Sequence, residues 1–192
     1  MNIVTEIDFN ILNSIVKGFK CEFLDYLMPF ITVFGDHGIF PISVAVLLLI
    51  IPKTRNIGLS MAFAFIYGGF FGNIVLKNAV GRLRPYDAYY VESLFNEGDL
   101  LIGGLSDFSF PSGHTLIMFE LAVVLLICLK GRKKLIAYFS LLFAFLVAFS
   151  RLYLYVHFPS DVLVGAILGT IFGIMGTKTA ELLIRKLHKR NG

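Results

Sequence analysis

The stretch Ser150-Arg-Leu-Tyr-Leu-Tyr-Val-His-Phe-Pro-Ser-Asp161 lies at the junction of two long apolar segments, residues 134–156 and 159–178, yet it carries an arginine, a histidine and an aspartate. Ionisable residues at a membrane boundary are costly to keep and point to function. Pro159 suits the first position of a helix and Ser160 or Asp161 its first turn, so a helix is predicted to begin near Phe158. His157 then stands just ahead of that helix, with Asp161 one turn on and able to reach back to it. An imidazole oriented by a carboxylate suits a nucleophile or a base. Arg151, at the end of the preceding helix, brings a fixed positive charge to the same rim.

The rest of the chain agrees with a membrane setting. Of its 192 residues 57% are hydrophobic and 16% are charged, against roughly 25% charged in a soluble domain. That composition excludes a soluble home. The fold expected is an all-α integral membrane helical bundle of about five spans, preceded by an interfacial helix. Residues 1–192 read as one domain: 1–20 the interfacial helix, 22–178 the bundle, 179–192 a basic cytoplasmic tail. In residues 1–20, Ile3, Ile7, Ile11, Ile15 and Phe19 recur at four-residue spacing among polar residues, which suits a helix lying in the membrane surface. Residues 22–51 are apolar but broken by Gly35-Asp36-His37-Gly38, and their flanks are each too short to span alone, so one bent crossing is expected. Residues 56–78, 112–130, 134–156 and 159–178 are each long enough to cross.

Charge sets the orientation. The turns at 52–55 and 130–134, with Lys178 and the tail, hold about eleven of the 17 Lys and Arg residues, and of the 13 acids only Glu181. By the positive-inside rule that side is cytoplasmic. The opposite side receives the long connection from Arg82 to Phe110 and the stretch from Arg151 to Asp161. Two further clusters reach it: Lys77-Asn-Ala-Val-Gly-Arg-Leu-Arg84-Pro85 and Phe110-Pro-Ser-Gly-His-Thr115.

Their joint chemistry suits a phosphate. Lys77, Arg84 and Arg151 supply three cations, and arginine matches phosphate oxygens two at a time. Ser112 and the amides of Gly113 and His114 open a helix, where unpaired N–H groups favour an anion, and Gly113 permits close approach. Of two histidines, one can attack phosphorus while the other protonates the leaving oxygen. Taken singly, each of the three cations reads as boundary snorkelling; that reading does not explain why all three accompany two histidine motifs.

These residues resemble the signature of the type 2 phosphatidic acid phosphatase family, which includes bacterial undecaprenyl-diphosphate phosphatases. Its three parts stand here as Lys77 to Arg84-Pro85, Pro111 to His114, and Ser150-Arg151 to His157 and Asp161. The resemblance implies that His157 is the nucleophile forming a phosphohistidine, oriented by Asp161. It implies that His114 protonates the leaving group and later activates water. Lys77, Arg84, Ser112, Gly113 and Arg151 would hold the phosphate.

The expectation is a lipid phosphatase at the outer face of a bacterial plasma membrane, with undecaprenyl diphosphate the favoured substrate. Phosphatidic acid or phosphatidylglycerol phosphate is the alternative, and a non-enzymatic lipid-phosphate binder or transporter is the alternative of another class. No cofactor, metal or nucleic-acid partner is expected, and the oligomeric state is left open. Glu120, within a span, reads as a helix-pairing or site-tuning residue. Asp36 and His37 read as a helix break that could also line the site entrance. Tyr86, Tyr89, Tyr90, Tyr153 and Tyr155 fit an interfacial belt. Whether the 86–110 loop gates the site is left open.

Overall fold

The structure is a computed structural model and describes residues 3–87, 101–102 and 105–191. Eight α-helices make up the chain among the described residues, in the order α1 Ile3–Phe19, α2 Glu22–Thr32, α3 Ile39–Ile50, α4 Arg55–Tyr67, α5 Lys77–Val80, α6 Gly113–Cys128, α7 Lys134–Tyr153 and α8 Pro159–Asn191. A 3-10 segment, Val33–Gly38, joins α2 to α3, and a π-helical stretch, Gly68–Leu76, joins α4 to α5.

Two of these joints turn separate helices into single crossings. The apolar stretches Glu22–Ile50 and Arg55–Val80 are 29 and 26 residues long, and with Gly131–Tyr153 and Pro159–Lys189 they are long and apolar enough to cross a membrane. The break in the first is sharp: His37 and Gly38 take φ of 51° and 68°, a left-handed turn that glycine accepts at no steric cost. The chain nevertheless continues in one direction along α7. Near Cys21 the Tyr153 hydroxyl donates to Asp25 Oδ1, while Phe34 and Phe40, either side of the break, both pack edge-on against Phe143. By length and composition the stretch suits one bent crossing, as the sequence suggests.

Helix α6 is the centre of the bundle. It packs on α8 and α7 and touches α4, and from Thr115 to Leu125 only Ile117 escapes full burial. Its 16 residues make a rod of about 24 Å. Helix α8 comes close because Gly165, Gly169 and Gly173 face it. A Cβ on Gly165 would stand 2.8 Å from the Ser112 carbonyl, and one on Gly173 would stand 3.0 Å from Val123. Such small-residue faces let membrane helices approach. The outer faces carry exposed apolar side chains, among them Phe30, Leu47, Ile66, Phe145 and Leu163, as bilayer contact requires. Helix α8 runs unbroken to Asn191, so the basic residues after 178 lie on the same helix as the crossing.

Helix α1 lies outside the crossings, but its apolar stripe is used differently from the sequence pattern. Ile3, Ile7, Ile11 and Phe19 stay exposed, whereas Asp8, Phe9, Leu12 and Val16 are buried. Phe9, Leu12 and Val16 cluster with Tyr155 and Phe158. The isoleucine face is thus left for the membrane surface, and the adjacent face grips the bend before α8. The basic turns at 52–55 and 130–134 close the ends of the crossings remote from this bend.

Candidate active site

The bend at 154–158 is built to present His157. Tyr155 adopts a left-handed φ of 59°, an uncommon conformation for a bulky residue that its surroundings must hold in place. Its hydroxyl donates to Asn13 Oδ1 at 2.7 Å, and Phe158 meets Phe9 edge-on at 5.0 Å. Asp161, at the third position of α8, reaches back to accept from the Phe158 amide at 2.9 Å, the capping-box geometry. His157, on the bend, is only 1% exposed.

The expected contact between His157 and Asp161 is indirect. Nδ1 of His157 lies 3.7 Å from Asp161 Oδ2, beyond hydrogen-bonding range. Ser109 fills the gap: its hydroxyl donates to Asp161 Oδ2 at 2.5 Å and sits 3.3 Å from His157 Nδ1. With that donor spent on the carboxylate, Ser109 can only accept from the imidazole, which assigns the proton to Nδ1. Nε2 keeps its lone pair, 3.4 Å from Arg84 Nη1. Burial pushes the His157 pKa down to about 3, the charges of Arg151 and Arg84 adding to the fall and Asp161 opposing it. The ring is therefore neutral near pH 7 and has an unprotonated nitrogen to offer.

Arg82 also holds Asp161. Arg82 Nη1 donates to Asp161 Oδ1 and Ser160 Oγ, both at 2.7 Å, and Nη2 donates to Asp8 Oδ2 at 2.7 Å. Asp8 also accepts from the Ser160 amide at 3.0 Å, and the Arg82 guanidinium lies 3.8 Å above the Phe158 ring. The network runs from α1 through the residues before α6 to α8.

Lys77, Arg84, Gly113, His114, Arg151 and His157 all line one cavity of about 650 Å³. The structure thus brings together side chains from all three sequence clusters. Arg84 donates through Nη1 to the Val156 carbonyl at 2.8 Å and through Nη2 to Asp107 Oδ1; Lys77 Nζ bonds the other Asp107 oxygen. Burial opposes ionisation of Asp107, but hydrogen bonds and charge from Lys77 and Arg84 outweigh it and hold the carboxyl well below its ordinary range. Arg151 is 1% exposed, donates from Nη1 to Thr32 Oγ1, and keeps an Nε with no partner among the described residues.

Ser112 and Gly113 open α6 as expected, but Ser112 is buried behind the cavity lining, taking a hydrogen bond from Thr115 and giving its amide to the Asp161 carbonyl. Gly113 makes room for Asn73, whose Oδ1 would lie 2.8 Å from a Cβ there. His114 Nε2 is 2.7 Å from Asp36 Oδ1, so the break at residues 35–38 both bends the crossing and delivers a carboxylate to the second histidine. Glu120 lies deeper in the same cavity, with neither carboxyl oxygen hydrogen-bonded among the described residues.

Asp8, Asp36, Arg82, Asp107 and Ser109 do not stand out as site residues in the sequence. Only the charge of Asp36 and His37 inside an apolar run gives any sign of them. Tyr89 and Tyr90, and much of the 86–110 connection with its possible gating role, lie outside the described residues.

Residues 54–185, which hold the three clusters singled out in the sequence, match the PAP2 superfamily. The chain belongs to that superfamily. An undecaprenyl-diphosphatase of Sulfolobus acidocaldarius is 34% identical over 165 residues, 85% of this chain and 75% of the relative. A lipid A 4'-phosphatase of Bacteroides thetaiotaomicron is 30% identical over 192 residues, 96% of this chain and 82% of the relative. The crystal structure of a PAP2-type phosphatidylglycerolphosphate phosphatase from Bacillus subtilis superposes with a TM-score of 0.73 at 28% identity, covering 94% of this chain and 88% of that one. As a PAP2 chain with these apolar crossings, the protein is a multi-pass membrane phosphatase of the lipid-phosphate class.

Proposed function

We propose that this PAP2 phosphatase removes the terminal phosphate of undecaprenyl diphosphate, giving undecaprenyl phosphate and inorganic phosphate, at the outer face of a bacterial plasma membrane. The observation that carries the chemistry is His157: a buried, neutral imidazole with Nδ1 directed at the Ser109–Asp161 pair and Nε2 beside Arg84. Nε2 attacks phosphorus and forms an N–P bond as the bond to the leaving oxygen breaks. His114, at the start of α6, gives that oxygen its proton. Water then attacks the phosphohistidine, His114 takes up the proton, and phosphate leaves with His157 restored.

Lys77, Arg84, Arg151 and the first-turn amides of α6, with Ser112 and Gly113 shaping that turn, hold the phosphoryl oxygens as charge builds on them. One such donor is commonly worth about 10²–10³ in rate, so the set supplies much of the stabilisation that phosphoryl transfer needs. Among the described residues no three His, Cys, Asp or Glu side chains gather as a metal site. EDTA is expected to leave turnover intact.

The lipid preference has its own support. The cavity continues from the cations past Ile42, Phe65, Leu116 and Ile117, an apolar course suited to an acyl or prenyl chain. Similarity to an undecaprenyl-diphosphatase over 85% of the chain favours the diphosphate over phosphatidylglycerol phosphate, the second choice. The basic turns at the far end favour a site facing outward.

The deciding experiment is phosphate release by purified protein in detergent from undecaprenyl diphosphate, phosphatidic acid and phosphatidylglycerol phosphate. Undecaprenyl diphosphate is expected to give the highest kcat/KM, and His157→Ala to abolish turnover while retaining binding. Unchanged turnover in that variant rejects the mechanism, and a preference for either of the other two lipids rejects the substrate.

A further inference from the structure

Asp107 does something that the hydrolytic mechanism does not ask of it. Its two carboxylate oxygens take Arg84 Nη2 and Lys77 Nζ, each at 2.5 Å, and its backbone carbonyl accepts from Arg84 Nε at 3.0 Å. A carboxylate bridging a guanidinium and an ammonium is an anion seated on two cations of the phosphate cradle. The arrangement has a direction: the Arg84 and Lys77 side chains are 3% and 12% exposed, whereas that of Asp107 is 51% exposed. The acid therefore covers the cations from the open side, on a connection between elements rather than within a packed helix.

We propose that Asp107 is an internal competitor for the phosphate cradle, one that a terminal phosphate displaces and a phosphodiester does not. This rests on the phosphatase reading of the same site. A terminal phosphate carries about −1.5 to −2 charges at neutral pH and presents three oxygens to Lys77, Arg84 and Arg151. The phosphodiester of an ordinary bilayer phospholipid carries one charge, like the carboxylate it would have to remove, and gains nothing by the exchange. Asp107 thus keeps the cations from being titrated by the surrounding membrane, and its return assists the release of inorganic phosphate.

Removing the competitor should strengthen anion binding, which loss of a merely structural group does not do. Each partly exposed ion pair is broken at a cost of about 1.5- to 5-fold in an equilibrium constant, so freeing both cations is expected to tighten phosphate binding by about tenfold. The test is calorimetric titration of inorganic phosphate into wild-type protein, Asp107→Asn and Asp107→Ala in detergent. Inhibition of turnover by phosphatidylglycerol in mixed micelles is measured alongside. Tighter phosphate binding in both variants, with phosphatidylglycerol inhibiting at lower mole fraction, supports the proposal. Equal or weaker phosphate binding in both overturns it, because Asp107 would then arrange the cations for substrate. Failure of the phosphatase reading shows separately, as no phosphate release by the wild-type protein from any lipid phosphate, and leaves the titration valid.

Discussion

Removing the Ser109 hydroxyl tests whether His157, the proposed nucleophile, is steered through a relay or by the aspartate alone. Ser109 is fully buried, donates to Asp161 at 2.5 Å and stands 3.3 Å from His157 Nδ1, while the two ends it joins are 3.7 Å apart. In Ser109→Ala the imidazole N–H loses its acceptor and the carboxylate one of its donors, but the backbone need not move. A hydrogen bond tied to a charged group is worth about 1.5–3 kcal/mol, which corresponds to a fall in kcat of roughly 10- to 100-fold. KM should stay within about twofold, because Ser109 holds the proposed nucleophile, His157, rather than the phosphate. Ser109→Gly leaves space for a water to span the same two groups and is expected to be faster than Ser109→Ala. The assay is initial-rate phosphate release in detergent over a range of lipid mole fraction. A Ser109→Ala enzyme within about threefold of wild type in kcat would refute the relay.

Three other outcomes rest on the same geometry. Arg82→Leu leaves Asp8 and Asp161, 4% and 0% exposed, without their shared cation; a loss of about 3 kcal/mol is expected, read as a lower unfolding temperature in detergent, with Asp8→Leu in the same chain restoring part of it. Gly113→Ala pushes a methyl against Asn73 and should raise KM several-fold, whereas Gly18→Ala, with nothing within 4 Å, should do nothing measurable by the same kinetics. His157 stays neutral down to about pH 3, while an imidazole of the unfolded chain titrates near ~6.5. The unfolded chain therefore takes the proton first, and the stability that neutral His157 contributes is full above pH ~6.5 and lost as pH falls toward 3. Unfolding temperature should drop across that window more steeply in wild type than in His157→Asn, and parallel curves would refute the assignment.

What the sequence disclosed was whatever repeats or stands out against an apolar background. The crossings, the three clusters and their common rim could be read because charge is rare in this chain and helix entries at Pro111 and Pro159 carry proline and serine. The supporting residues could not be read this way. Asp8 sits among polar neighbours in an amphipathic helix, and nothing in the isoleucine spacing says that the face beside it is the one that packs. Asp107 and Ser109 belong to a long connection with no period, so their proximity to Lys77, Arg84 and His157 exists only after folding. Asp36 was visible as an oddity. Its pairing with His114 depends on the left-handed turn at His37 and Gly38, which a helix-break reading contains but does not aim. The direct His157–Asp161 contact suggested by their spacing is missed by less than an ångström, and a serine from another segment supplies the difference.

The clasp between Asp8 and Ser160 joins residues 152 positions apart. A ribosome delivers α1 to the bilayer before α8, so Asp8 can meet Arg82 once α5 is made but waits for Ser160 until the intervening crossings are in. Only when Pro159 and the rest of α8 have entered does the bend at His157 acquire its walls. A nascent chain halted short of that point holds Lys77, Arg84 and His114 but lacks the Ser160 and Asp161 contacts that fix the bend at His157. The walls around His157 are therefore among the last contacts of the described chain to form.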